Sequence, residues 1–226
     1  MSGERVASFM LRLVVDRLPV GGMGELGRAP RALYLREGAA EFETEGEAGR
    51  IEADQARFVG DAVRLRAADG RPAVVWRFEL IPCGTDAVDL PGSSERISAR
   101  IELDAGAEHL FRCDRVDLPA GSVTPRHMHL GPGLRCVLHG DVRAEVAGRK
   151  SFHRAGEAWF EAAAASIVGR MSPHEPTAFV RGMILPVELR GKSSYRPWDE
   201  AAAAQPVPAR YRLFVDALFR VEPPTD

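Results

Sequence analysis

Apolar residues in this chain fall in short runs that turn residues separate. Such runs cover residues 10–15, 32–35, 73–81, 135–138, 158–160 and 178–185, with Gly, Pro and Asp in the gaps. Short apolar or alternating segments with this punctuation are typical of β-strands. The pattern therefore predicts an all-β chain, and strands that must bury one face usually close into a barrel or a two-sheet jelly roll.

The C-terminal part has a different pattern. Between residues 208 and 220, Tyr211, Phe214, Val215 and Leu218 recur at the spacing of one helical face. This periodicity predicts a short helix that docks on a barrel or on a partner subunit.

The chain contains an internal repeat. Leu18 and Leu118 lie 100 positions apart in similar Leu-Pro-x-Gly contexts, Gly38 and Gly140 lie 102 apart, and the prolines that end two apolar segments, at 82 and 186, lie 104 apart. Ordered matches with a slowly growing offset indicate a duplication. With 226 residues, two small β domains can each bury a core.

Domain boundaries follow from the repeat. We expect a first barrel over residues 1–83, a second over 96–190, and a C-terminal extension with the helix over 191–226. The loop between 83 and 95, rich in Gly, Pro and Ser, is the predicted linker.

A histidine pair marks the candidate site. Gly121 is followed by His127 and His129, just ahead of a strand-like segment that ends at Gly140. On an extended chain, residues i and i+2 point to the same face, so both imidazoles can reach one metal ion or one anionic ligand. The growing offset means that the first copy lacks two residues here, and that copy contains no histidine.

Composition narrows the set of partners. The net charge is −2 and the basic residues are scattered, so a nucleic acid is not expected as a partner. Three distant cysteines without a Cys-x-x-Cys spacing argue against a disulfide framework and favour a cytoplasmic location. No stretch approaches the roughly 18 apolar residues of a membrane span.

Gly121, His127, His129 and Gly140 resemble the first motif of the cupin superfamily, Gly-x5-His-x-His-x3-4-Glu-x6-Gly. The resemblance covers about residues 7–82 and 105–190, and it implies two tandem jelly-roll barrels. In such a bicupin the first barrel is degenerate and the second alone carries the histidines.

The sequence departs from that family pattern at two ligand positions. Gly133 stands where the motif has Glu, and the second-motif histidine would fall near Ser166 or Ile167. By position, Glu161 is the replacement. The resemblance then implies a divalent transition metal (Fe, Mn, Ni or Zn) held by His127, His129 and Glu161.

Two further residues are candidates for substrate contact. Arg135 shares the parity of the histidines, so it either points into the barrel, where it would hold a carboxylate, or faces solvent at the strand start. Trp159 is expected in the pocket wall.

Two functions remain open from the sequence. One is a metal-dependent enzyme of oxygenase, isomerase or decarboxylase type acting on a small carboxylate, with Glu161 as metal ligand or general base. The other is a non-catalytic cupin that has lost its metal and binds or senses a small anionic molecule. In both cases open sheet edges favour a homodimer.

Overall fold

The computed structural model describes residues 5–221, and these are almost entirely β-structure. The chain divides into two compact units, Met1–Phe111 with Ala217–Asp226 and Arg112–Asp216. No helix within the described part of the chain is long and apolar enough to cross a membrane.

Nine strands precede residue 106: β1 (Arg5–Leu18), β2 (Met23–Leu26), β3 (Arg31–Glu37), β4 (Ala39–Glu43), β5 (Ala48–Glu52), β6 (Gln55–Val59), β7 (Val63–Ala67), β8 (Ala73–Pro82) and β9 (Ser94–Ala105). They form two antiparallel sheets with the orders β6-β3-β8-β1-β9 and β2-β7-β4-β5. In β7, residues alternate between buried and exposed, which is the pattern of a strand with one face on a core.

The remaining strands are β10 (Glu108–Leu118), β11 (His127–His129), β12 (Gly133–His139), β13 (Asp141–Val146), β14 (Arg149–Arg154), β15 (Ala158–Glu161), β16 (Ile167–Met171), β17 (Thr177–Pro186), β18 (Tyr195–Pro197) and β19 (Arg210–Arg220). The sheet orders are β15-β12-β17-β10-β19 and β14-β13-β16-β11-β18. A 3-10 turn (Val187–Leu189) and a helix α1 (Glu200–Ala203) lie between the last strands.

Buried apolar side chains from the two sheets of each unit form its core. In the second unit this core includes Val116, Leu118, Val137, Val142 and Trp159. Two register pairs position the candidate site: Arg135 lies opposite both Trp159 and Arg181 in neighbouring strands.

The C-terminal helix predicted over 208–220 is wrong, because this segment forms strand β19 at the edge of a sheet, beside β10. Aromatic and β-branched residues such as Tyr211, Phe214 and Val215 suit a strand as well as a helix, and pairing with a neighbouring strand decides between the two. The helix in this part of the chain is α1, where the Asp199 side chain caps the N-terminus by accepting from the Ala202 amide.

The division into units falls later in the chain than the predicted linker. Strand β9 pairs with β1, so residues 94–105 belong to the first unit rather than to the start of the second barrel. The segment before β9 is also held in place: Arg12 and Arg77 both donate to Asp89, and Leu90 is buried. Its turn residues mark a loop that folds back on the same unit.

Candidate functional site

The histidine pair lies on β11, inside the second unit. His127 and His129 are 7% and 3% exposed, and their ring centroids are 5.1 Å apart. Strand β11 pairs with β18, which places Tyr195 opposite His129. The Tyr195 ring stacks on His127 at a centroid distance of 4.7 Å. As predicted from the i, i+2 spacing, both imidazoles lie in one pocket.

Hydrogen bonds hold both histidines by the same ring nitrogen. His127 Nδ1 lies 2.8 Å from the carbonyl oxygen of Pro125, and His129 Nδ1 lies 3.2 Å from the Ser194 hydroxyl. Since a carbonyl oxygen only accepts, His127 carries its proton on Nδ1 and keeps Nε2 as a free acceptor. Burial lowers the pKa of both residues, and the nearby Arg135 cation lowers that of His129 further. Both imidazoles are neutral at pH 7.

Arg135 points into the barrel and is 1% exposed, so the inward alternative is the one observed. Its Nη2 lies 2.6 Å from Glu161 Oε2, and Glu161 Oε1 accepts from the indole of Trp159 at 2.8 Å. Among residues 5–221, however, no side chain or backbone group gives Arg135 Nη1, Arg135 Nη2 or Glu161 Oε2 an aligned hydrogen bond. Burial lowers the pKa of Arg135 to about 10, so it remains a cation at neutral pH.

A second buried arginine was not recognised in the sequence. Arg181 donates to both carboxylate oxygens of Asp114, at 2.7 and 2.6 Å, and its guanidinium lies 5.4 Å from the Tyr211 ring centroid. Burial opposes its charge, but Asp114 raises the pKa of Arg181 above the ordinary value. The signal was a charged residue within the apolar run 178–185.

These side chains surround a cavity of about 40 Å³. Such a volume has room for about three water molecules, so as it stands it suits a ligand of few atoms. One side is polar, and the other is an apolar wall that includes Val116, Val142, Ile167, Met171 and Phe179. A wider cavity of about 250 Å³ adjoins it along residues 191–195, and the two share His129, Arg181, Tyr195 and Tyr211.

The predicted metal ligands come close together but do not complete a metal site. His129 Nε2 lies 4.0 Å from Glu161 Oε2, and both histidines present neutral rings. Glu161, however, already faces the Arg135 cation and accepts from Trp159. Across residues 5–221 there is no group of three His, Cys, Asp or Glu side chains that could hold a metal ion. Within the described part of the chain, this pocket thus offers two free imidazoles, fewer than the three or four ligands that a tightly bound transition metal needs.

No family model matches the sequence, and no curated protein matches it either. Solved structures do match. AerE from Microcystis aeruginosa superposes with a TM-score of 0.60 at 11% identity, over 76% of this chain and 87% of that one. Salicylate 1,2-dioxygenase from Pseudaminobacter salicylatoxidans gives 0.55 at 10% identity, over 89% and 75%. The coconut allergen cocosin gives 0.55 at 11%, over 76% of each chain. These neighbours are cupin proteins.

The chain has a cupin fold. The expectation of tandem jelly-roll barrels, drawn from the internal repeat and from the resemblance to the cupins, is confirmed. One cupin fold serves both a dioxygenase and a seed allergen among these neighbours, so the fold does not decide what this protein does. That question depends on the pocket.

Proposed function

We propose that the second cupin barrel binds a small carboxylate in the pocket of His127, His129, Arg135 and Glu161. One observation carries the proposal: the Arg135 guanidinium is buried, its Nη1 has no acceptor among the described residues, and its Nη2 lies 2.6 Å from Glu161 Oε2 without an aligned hydrogen bond. A buried donor without an acceptor is costly, and a guanidinium fork matches a carboxylate in a bidentate arrangement. A bound carboxylate would supply the missing acceptors.

The other walls of the pocket fit such a ligand. The Nε2 of His127 can accept from a hydroxyl or amine on the ligand, and the neutral His129 can accept or donate according to its tautomer. Trp159 and the apolar wall suit a short hydrocarbon part. The dioxygenase neighbour is named for salicylate, itself a small carboxylate. We regard binding without turnover as the function best supported, because the residues of the pocket do not complete a metal site.

Calorimetric titration with propionate and its uncharged isostere propionamide tests the proposal. Wild-type protein should bind propionate and not propionamide. Arg135→Leu should lose about 2 kcal/mol or more of binding free energy, the usual loss for a desolvated charge-assisted pair. Arg135→Lys, which keeps the charge beside Glu161 but not the planar fork, should lose part of it.

Exposed Arg170 on β16 offers a matched control, and Arg170→Leu should bind propionate as the wild type does. Equal binding of propionate and propionamide, or full binding by folded Arg135→Leu, would refute the proposal. Circular dichroism of each variant shows whether it is folded.

A metal-dependent enzyme of oxygenase, isomerase or decarboxylase type is the second candidate. It is favoured by the two neutral imidazoles, which lie 5.1 Å apart, with Glu161 as third ligand or general base. Elemental analysis of protein purified without an affinity tag should then show close to one equivalent of a divalent transition metal. The His127→Ala, His129→Ala double variant should lose it, and equal metal content in both proteins would exclude this candidate.

A further inference from the structure

In each unit an arginine forms hydrogen bonds with the segment that follows a long strand, β8 in the first unit and β17 in the second. Arg12 on β1 donates to Asp89 at 2.7 Å, in the loop after β8. Arg112 on β10 donates to the carbonyl oxygens of Leu189 and Lys192, at 2.8 and 2.7 Å, in the segment after β17. The two arginines lie 100 positions apart, the offset of the repeat at this point. In both copies an arginine at the equivalent position therefore binds the equivalent segment, through a side-chain carboxylate in the first and through backbone carbonyls in the second.

The segment after β8 and the segment after β17 bring different kinds of side chain into their units. In the first unit, Leu90 is 5% exposed and belongs to the core, and a Cβ on Gly24 would lie 2.6 Å from Leu90 Cδ2. The loop there contributes to a tightly packed interior. In the second unit, the corresponding segment places Ser194 against His129 and Tyr195 against His127, and both residues line a cavity. A core residue has thus been replaced by polar side chains beside the histidines.

Tyr195 has a hydroxyl that nothing in the described chain satisfies. The ring is half-buried, yet the hydroxyl oxygen is closed to solvent and no donor or acceptor of residues 5–221 reaches it. In contrast, the buried Tyr34 of the first unit donates to Asp54 Oδ1 at 2.9 Å. Buried hydroxyl groups nearly always have a partner, so one that lacks a partner at the border of two cavities is suited to a ligand.

We infer that Tyr195 is a specificity-determining residue of this pocket. Its hydroxyl forms a hydrogen bond with a second polar group of a ligand whose carboxylate is bound by Arg135. The identity of the ligand rests on the proposed function, whereas the position and the unsatisfied state of the hydroxyl do not. The expected ligand class is a short carboxylate with an additional oxygen function, such as a hydroxy acid.

The first experiment needs no ligand. If the Tyr195 hydroxyl has no partner within the protein, Tyr195→Phe removes an unsatisfied buried group and should raise the melting temperature by about 2 °C. The matched variant Tyr34→Phe breaks the hydrogen bond to Asp54 and should lower it. A fall in melting temperature for Tyr195→Phe would show that the hydroxyl is bonded inside the protein, and it would overturn the inference.

The second experiment measures selectivity by calorimetric titration with propionate, lactate and 3-hydroxypropionate. Wild-type protein should bind at least one of the two hydroxy acids about tenfold more tightly than propionate, and Tyr195→Phe should abolish that preference. An unchanged preference in Tyr195→Phe overturns the inference.

The two proposals fail in different ways. Arg135→Leu should weaken all three acids by a similar factor and leave their ratio, while Tyr195→Phe should change the ratio. If wild type and Arg135→Leu bind propionate equally, the carboxylate proposal fails. The melting temperature of Tyr195→Phe still shows whether the Tyr195 hydroxyl lacks a hydrogen-bond partner within the protein.

Discussion

Two buried arginines lie opposite one another on the neighbouring strands β12 and β17. They differ in the hydrogen bonds that they form with their carboxylate partners. Arg181 forms two aligned hydrogen bonds to Asp114, whereas Arg135 lies close to Glu161 without an aligned bond. Because like charges face each other in a low-dielectric interior, each needs a counter-charge. Asp114 meets that need for Arg181, and Glu161 lies beside Arg135. Because Arg135 Nη1 has no hydrogen-bond partner among residues 5–221, we expect Arg135 to be the arginine that binds an anion.

Gly133 makes room for Arg135. A Cβ at this position would lie 2.8 Å from Arg135 Nη1 and 2.7 Å from Met183 Cγ. At position 133, where the cupin motif has Glu, any side chain would therefore displace the Arg135 guanidinium. Glycine at this position and the buried Arg135 are therefore compatible, and we expect the pair to favour anion binding over metal binding.

The sequence pattern indicates some of the pocket residues and not others, for a physical reason. His127 and His129 were predictable, because the parity of an extended strand brings i and i+2 together. His129 meets Ser194 across 65 positions, and Arg181 meets Asp114 across 67. Those contacts depend on which strands pair and in what register, which a local pattern does not specify.

The buried histidines make stability depend on pH. Burial lowers the pKa of both His127 and His129 in the folded protein, while the unfolded chain takes up protons near pH 6.5. The unfolded state thus binds more protons below this pH, and stability falls as the pH falls from 7.5 to 5.5. Each histidine contributes at most about 1.4 kcal/mol per pH unit.

Urea unfolding at pH 7.5 and 5.5 checks this expectation. His129→Gln should reduce the loss of unfolding free energy between the two pH values, and His139→Gln, at an exposed position, should not. The same pH dependence in wild type and His129→Gln would contradict it.

At the scale of elements, edge strands and returning segments were the hardest to predict. Residues 208–220 have an apolar spacing compatible with one helical face, and their place beside β10 makes them a strand instead. The loop at 83–93 looked like a linker because of its turn residues, but buried arginines hold it. In both cases a tertiary partner overrides the local signal.

We expect Arg112 to keep the segment 189–195, which includes Tyr195, in its folded position. It is 6% exposed and donates to Leu189, Lys192 and Asp216, and Asp216 in turn accepts from the Gly191 amide at 2.7 Å. Arg112→Met leaves these acceptors without their donor and should cost about 3 kcal/mol of stability.

Hydrogen exchange with mass spectrometry is the suitable measurement. Amides of residues 189–195 should exchange faster in Arg112→Met than in wild type, while β13 and β14 should keep their protection. The surface variant Arg170→Met should change neither. Unchanged exchange in 189–195 would show that Arg112 does not hold this segment.

For the whole molecule, we expect the two units of the duplication to have different roles. The first unit contains a buried ionic network, in which Arg77 donates to Asp16 and Asp89 beside a tightly packed Leu90. The second contains the pair His127 and His129, which lines a cavity together with the buried Arg135. We expect the first barrel to act as a degenerate scaffold and the second to bind the ligand, as the distribution of histidines in the sequence predicted.

Oligomerisation is a property of the whole chain, and we expect a homodimer. Strand β19 is at a sheet edge, and Leu213 on it is 53% exposed. An unpaired edge with an exposed apolar residue favours association with a second copy.

Light scattering at micromolar concentration should give twice the chain mass of 24.7 kDa. Leu213→Glu should shift the equilibrium to monomer, whereas Val88→Glu, at a residue 59% exposed in the first unit, should not. A wild-type mass near 24.7 kDa would refute the dimer, and a dimer unaffected by Leu213→Glu would exclude β19 as its interface.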